Sequence, residues 1–351
     1  MRETGPLIVQ IVPPGAGGVH DSQACLRKSW LDCGIDARTI ELSKGLAAER
    51  SLCERVDSLR AERGTDRCSV VVHYSGYGYG HRGVCLWLLH ELKTLRTRYG
   101  ARMRRVIMSH ELYAFGPPTG SAFWLSPLQA SIAARLARMA DAMWTNTDHH
   151  AAWLRRVVGH SKPLRVHPVF SNIGEACRWS PPSTRSRRVT VFGSAATRQR
   201  ALSSLRNDTS VLAFLGIDEM VEVGPGSACD CAWLTIPHRH VGRLDSPELA
   251  AVLDDSRFGL LDYPPQYLGK SSVFAAYAAF GCVVLNTASA GRDADGLAGG
   301  RDYLALSGIS RSRETCAQAS HLDAMATSLH HWYASHPLAD QAQQLLALAM
   351  E

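Results

Sequence analysis

The sequence predicts an α/β protein made of two successive Rossmann-like βαβ domains. Three observations predict it. Short apolar runs of strand length alternate with helical segments along most of the chain. Glycine- or serine-bearing turns follow several of those runs, where the carboxyl ends of parallel strands would lie. The alternation breaks once, at residues 179–188, where Ser, Pro, Arg and Thr replace apolar residues, and then restarts. That stretch reads as a linker between domains 1–178 and 179–351, in keeping with 351 residues at roughly 150 per domain.

Residues 7–12 (Leu-Ile-Val-Gln-Ile-Val) read as the first strand. Pro13-Pro14-Gly15-Ala16-Gly17-Gly18 follows and opens a helix to about residue 31. Glycines at such a turn let backbone approach a ligand closely. Their spacing is not G-x-G-x-x-G, so a nicotinamide or flavin cofactor is not indicated. Strands at 37–42 and 69–74 flank an Arg/Glu-rich amphipathic helix between 46 and 62. Next comes Ser75-Gly76-Tyr77-Gly78-Tyr79-Gly80, an alternation that suits no regular element. At a strand's carboxyl end it reads either as a site where Tyr77 and Tyr79 stack on sugar faces or as a flexible surface turn. A helix covers 84–95. The strand 106–108 then ends in Ser109-His110-Glu111, which puts a histidine and a carboxylate where α/β folds carry catalytic groups. A hydrogen-bonded structural histidine is the alternative. A loop at 116–120, a helix at 126–140, a strand at 142–146 and a helix carrying Trp153 and Leu154 complete this half.

The second half opens with a strand at 189–192, the turn Gly193-Ser194 and a helix at 197–205. Arg198 and Arg200 beside that turn make a candidate anion site. A strand at 221–223 leads to Gly224-Pro225-Gly226, and Asp245-Ser246-Pro247-Glu248 caps a short helix. Residues 258–286 then read as strand, Pro-Pro turn, Ala-rich helix and strand. Lys270, Ser271 and Ser272 open the helix, and Gly281 stops it. Outward N–H groups, a positive dipole end and a lysine form a site suited to phosphate. An ordinary capped helix beside a solvated lysine fits the same residues. Two amphipathic helices between 320 and 347, broken near Pro337, end the chain.

Composition narrows the class. With 46% hydrophobic and 20% charged residues the chain is globular. A net charge of +6 suits an anionic ligand or a membrane surface as well as nucleic acid. No apolar stretch reaches spanning length and no secretory signal pattern opens the chain, so the expected location is cytoplasmic. The ten cysteines are scattered and read as free thiols; Cys229 and Cys231 have no matching second pair for zinc. Lys93, Arg96, Arg98, Arg102, Arg104 and Arg105 form a basic segment, opposed only by Glu91. It reads as a solvated face or as a contact for anionic lipid headgroups.

The glycine loop after the first strand, His110-Glu111, and a phosphate-type helix in the second half together resemble the GT-B glycosyltransferases. The order Gly193-Ser194, Glu222-Val-Gly-Pro-Gly226, Gly242 to Leu249, Phe258-Gly-Leu and Ala279-Phe-Gly281 is similar to the carboxyl-terminal half of their large retaining group. The resemblance implies two Rossmann-like domains facing across a cleft, the first for acceptor and the second for donor, with the terminal helices returning to the first. It implies transfer from a nucleoside-diphosphate sugar to a carbohydrate, lipid-linked or small-molecule hydroxyl. The reaction would be retaining and independent of metal or other cofactor, in polysaccharide or glycoconjugate synthesis, with no nucleic-acid partner. The location would be the cytoplasm or, through the basic segment 93–105, the inner face of the membrane. Gly17, Gly18, Gly193, Ser194, Tyr267, Ser271 and Ser272 would bind donor. Arg198 and Lys270 would neutralise its pyrophosphate, and His110 would sit by its sugar. Tyr77, Tyr79 and Glu111 would face sugar or acceptor. One feature departs from the family: its two glutamates eight residues apart are Leu268 and Ala276 here. Asp262, Tyr263 and Tyr267 in the same loop are the available substitutes. A sugar-nucleotide epimerase and a non-catalytic nucleotide-binding protein are the rival expectations.

Overall fold

The computed structural model describes residues 6–15, 17–114, 120–288, 291–306 and 318–351. Most of the expected loop at 116–120, together with Cys316 and Ala317, lies outside the described residues. The chain divides into two compact units, residues 1–167 with 338–351, and residues 168–337.

The first unit runs β1 (Leu7–Val12), α1 (Gly18–Asp32), β2 (Asp36–Glu41), α2 (Lys44–Glu49), α3 (Leu52–Arg63), β3 (Cys68–Tyr74), α4 (Gly76–Tyr79), α5 (Leu86–Tyr99), β4 (Met103–Ser109), α6 (Ser121–Met139), β5 (Ala142–Thr145), α7 (Asp148–Val158) and β6 (Leu164–Val166). The strands form one parallel sheet in the order β2-β1-β3-β4-β5-β6. β1 and β3 are buried along their whole length, because helices cover both sheet faces. The order reverses between β1 and β3. Right-handed crossovers then place α1 on one face and α5, α6 and α7 on the other. The packing of α3 on α5, α5 on α6 and α6 on α7 follows from this. The chain's last helix, Leu338–Met350, joins this unit: Trp30 Nε1 donates to the Ala342 carbonyl at 2.8 Å and Ser69 Oγ to the Ala349 carbonyl at 2.7 Å.

The second unit contains β7 (Ser186–Phe192), α8 (Ala195–Leu205), α9 (Ser210–Phe214), β8 (Glu219–Val223), β9 (His238–His240), α10 (Ser246–Asp255), β10 (Ser256–Leu261), α11 (Ser272–Ala279), β11 (Val283–Asn286), β12 (Leu304–Ala305) and α12 (Ala319–Ala334). Its parallel sheet has the order β12-β11-β10-β7-β8-β9, the doubly wound order that reverses between β7 and β10.

Residues 179–188 are not a linker. They hold a single turn, Pro182–Thr184, and run directly into β7. Their polar groups are used internally: Arg185 is buried and donates to the Phe280 carbonyl at 2.7 Å and the Ser180 carbonyl at 2.6 Å. Trp179 lies against Gly281, where an added Cβ would meet its Nε1 at 2.8 Å.

Candidate functional site

In open α/β sheets ligands bind outside the carboxyl ends of the strands where the strand order reverses. In the second unit that point carries Gly193-Ser194 after β7 and residues 262–272 after β10. The two loops touch: a Cβ added at Gly193, which has φ 126°, would lie 3.7 Å from Val273 in the first turn of α11. Ser194 caps α8 by accepting from the Thr197 N–H at 3.2 Å, and Ser271 caps α11 by accepting from the Phe274 N–H at 3.2 Å. Ser272 is the first residue of α11, and Lys270 just precedes the cap with its ammonium 5.5 Å from the centre of the Tyr267 ring. Gly193, Ser194, Tyr267, Lys270, Ser271 and Ser272 therefore share one strand-end surface. Two helix N-termini and one cation are collected there.

Arg198 does not join them as an anion-binding cation. Its side chain is wholly buried, with Nε donating to Glu222 Oε1 at 2.7 Å and Nη1 to the Gly193 carbonyl at 2.7 Å. Nη2 donates to the Pro225 carbonyl at 3.1 Å. Glu222 also accepts from the Cys229 N–H and lies 3.0 Å from His238 Nε2. Burial works to raise the Glu222 pKa, but hydrogen bonds from Arg198 and Cys229 outweigh it and hold the carboxyl below its usual value. The guanidinium thus shapes the Gly193 turn from behind. Gly224 makes room for it, since a Cβ there would fall 2.1 Å from Arg198 Nη1.

In the first unit, strands β1, β3 and β4 deliver Gly17-Gly18, Ser75-Tyr77 and His110-Glu111 to the carboxyl end of the sheet. Gly17 has φ 135° and stands at the N-cap of α1, with open space where a Cβ would be. Gly18 opens that helix. Ser75 Oγ donates to Glu111 Oε2 at 3.0 Å. The Gly/Tyr alternation is a regular element after all, one helical turn. At 100° per residue its two tyrosines diverge by about 200°. Tyr77 is half-exposed, whereas Tyr79 is buried and donates from its hydroxyl to the Ile11 carbonyl at 3.1 Å. Tyr79 is therefore a core residue and not a sugar contact. The glycines serve packing here, since a Cβ at Gly78 would meet Pro13 at 2.8 Å.

Behind His110 stands a relay absent from the sequence reading. His110 Nε2 lies 3.1 Å from His73 Nδ1, and His73 Nε2 lies 2.8 Å from Gln10 Oε1. The Gln10 amide nitrogen faces the Gln23 carbonyl at 3.4 Å, which orients its oxygen toward His73. Burial first, and then the neighbouring His110 and His20, hold the His73 pKa well below 6.5, so it is neutral. A neutral His73 that donates from Nε2 accepts at Nδ1. His110 must then carry a proton on Nε2. The available signal was a glutamine and a histidine inside two largely apolar strands, because buried polar groups need partners.

No protein-family model matches the chain, and no curated protein matches it. Solved structures match along nearly its whole length. An alpha,alpha-trehalose 6-phosphate synthase from Burkholderia multivorans is 12% identical over 98% of this chain and 96% of that one, with a TM-score of 0.59. An alpha-glucosyltransferase in complex with UDP and a 13-mer DNA containing an HMU base is 10% identical, over 98% of each chain, with a TM-score of 0.58. Anabaena HepE in complex with UDP-glucose is 13% identical over 97% of this chain and 99% of that one, with a TM-score of 0.52. The chain has the GT-B fold.

Two positions of this GT-B chain are closed to any ligand. Leu268 and Ala276, the positions that the resemblance sets against its paired glutamates, are both in the core. Asp262 accepts from Ser204 Oγ at 2.7 Å and Thr287 Oγ1 at 2.9 Å, so it is held within the fold. The basic segment 93–105 does not form one face either. Arg98 pairs with Asp57, and Arg104 donates to the Leu348 carbonyl and pairs with Glu351. Arg105 is buried in a bidentate pair with Asp141. Among the described residues no helix is long and apolar enough to cross a membrane.

Proposed function

We propose that the chain is a glycosyltransferase that moves a sugar from a nucleoside-diphosphate sugar to an acceptor hydroxyl. The observation that carries this reading is the contact between the Gly193 turn and the first turn of α11, which gathers two helix N-termini beside Lys270. Such a surface suits a diphosphate. Likeness in fold to structures holding UDP or UDP-glucose supports the same donor class. Lys270 and the α11 N–H groups would stabilise charge on the departing diphosphate, without metal or cofactor. Gly193, Ser194, Tyr267, Ser271 and Ser272 would shape that subsite. In the first unit Gly17 and Gly18 offer backbone N–H groups. His110, Glu111 and Tyr77 are the proposed sugar- or acceptor-facing groups. Retention of configuration, an acceptor in glycoconjugate synthesis and a cytoplasmic location complete the proposal.

The test is release of nucleoside diphosphate from UDP-, GDP-, ADP- and TDP-glucose, with and without EDTA, followed by the anomeric configuration of the product. Release from at least one donor, unchanged by EDTA, is expected. The burial of Leu268 and Ala276 favours a second reading, a protein that binds the nucleotide without catalysis. Tight nucleotide binding with no turnover of any donor across an acceptor panel would establish that reading instead.

A further inference from the structure

We propose that the outer face of α5 and α6 is a docking surface for an anionic lipid bilayer. The two helices pack side by side on the same face of the first sheet and enclose a groove of about 340 Å³. Leu89, His90 and Lys93 of α5 and Arg135, Arg138 and Met139 of α6 line it. Along α6, Trp124, Leu128, Ser131, Arg135 and Arg138 succeed one another at three- and four-residue steps, and all are exposed. Along α5, Leu86, His90 and Lys93 do the same. Each helix therefore presents one stripe that is apolar near its start and basic farther along. Trp124 is 71% exposed, Leu86 50% and Leu128 39%, so both stripes carry large apolar side chains in contact with solvent.

The charge pattern selects the partner. α6 contains no acidic residue. The single acid of α5, Glu91, accepts from the Leu52 N–H at 2.7 Å, toward α3. Lys162 donates to the Ala137, Arg138 and Ala140 carbonyls and so neutralises the negative end of the α6 dipole. What remains is a face of apolar residues and cations. On a bilayer, Trp124, Leu128 and Leu86 would enter the headgroup–acyl boundary while Lys93, Arg135 and Arg138 meet lipid phosphates. A second copy set two-fold against this face would oppose cation to cation. The surface shares only Lys93 with the basic segment 93–105, whose Arg98, Arg104 and Arg105 are paired elsewhere, and it requires no transferase activity.

The test is co-sedimentation of the full chain with vesicles of phosphatidylcholine alone and of equal parts phosphatidylcholine and phosphatidylglycerol. Binding to the anionic vesicles, weakened by salt and absent on neutral ones, is expected. Each cation near the surface contributes about fivefold, so Arg135→Glu with Arg138→Glu should weaken binding by more than tenfold. Trp124→Ser with Leu128→Ser should weaken it as well. Lys28→Glu, on α1, should leave it unchanged. The proposal is overturned by folded protein that ignores anionic vesicles, binds neutral ones equally, or binds undiminished in both double variants. It is also overturned if Trp124→Ser with Leu128→Ser dissolves a dimer while vesicle binding stays absent.

Discussion

His73 occupies the centre of a parallel sheet, where an ionised imidazole would have no water to solvate it. Its pKa is driven down by burial and by the neighbouring histidines. The sign of the stability effect follows. Below about pH 6.5 the unfolded chain takes up a proton that the folded chain refuses, so stability is lost as pH falls through that value. One such group changes stability by up to about 1.4 kcal/mol per pH unit. His167, also lowered by burial, acts in the same direction. Urea unfolding at pH 7.5 and 5.5 should therefore show a marked acid loss in the native chain. His73→Gln should reduce that loss without removing it; an unchanged pH dependence would mean that His73 does not titrate as its burial requires. Sequence reasoning reached His110 because strand-end position is a local property. It missed His73 because the pairing of β1, β3 and β4 creates the relay, and no spacing records it.

The β7–α8 turn is held by a buried ion pair between elements distant in sequence. Removing one partner strands the other, which costs about 3–5 kcal/mol in buried pairs. Arg198→Met should accordingly lower the melting temperature strongly, whereas a phosphate-binding arginine would lose affinity at constant stability. Thermal unfolding of the variant without ligand separates the two. The sequence showed Arg198 beside a glycine turn, but not that β8, adjacent to β7, would set Glu222 against it. The helical turn Gly76–Tyr79 was hidden for a related reason. Its glycines suggested looseness, while in the fold they permit close contact with Pro13. Residues 179–188 misled through composition, since a polar stretch can be consumed by buried carbonyls, as Arg185 shows.

The central strands of both sheets were legible as apolar runs, because a parallel strand buried on both faces must be apolar throughout. The short edge strands β9 (His-Arg-His) and β12 carry no such run and were not read. The point of reversal in each sheet, and hence the placing of Gly193 against α11, needed strand order, which periodicity does not contain. The central claim is that this reversal point in the second unit binds a nucleoside diphosphate. Calorimetric titration of UDP, GDP, ADP and TDP into the native chain and into Lys270→Ala tests it most directly. At least one nucleotide should bind the native chain. In the variant, its melting temperature unchanged, affinity should fall by about tenfold or more, the scale of one charge-assisted contact of about 1.5–3 kcal/mol. Binding of none of the four, or equal affinity in a well-folded Lys270→Ala, would contradict the assignment.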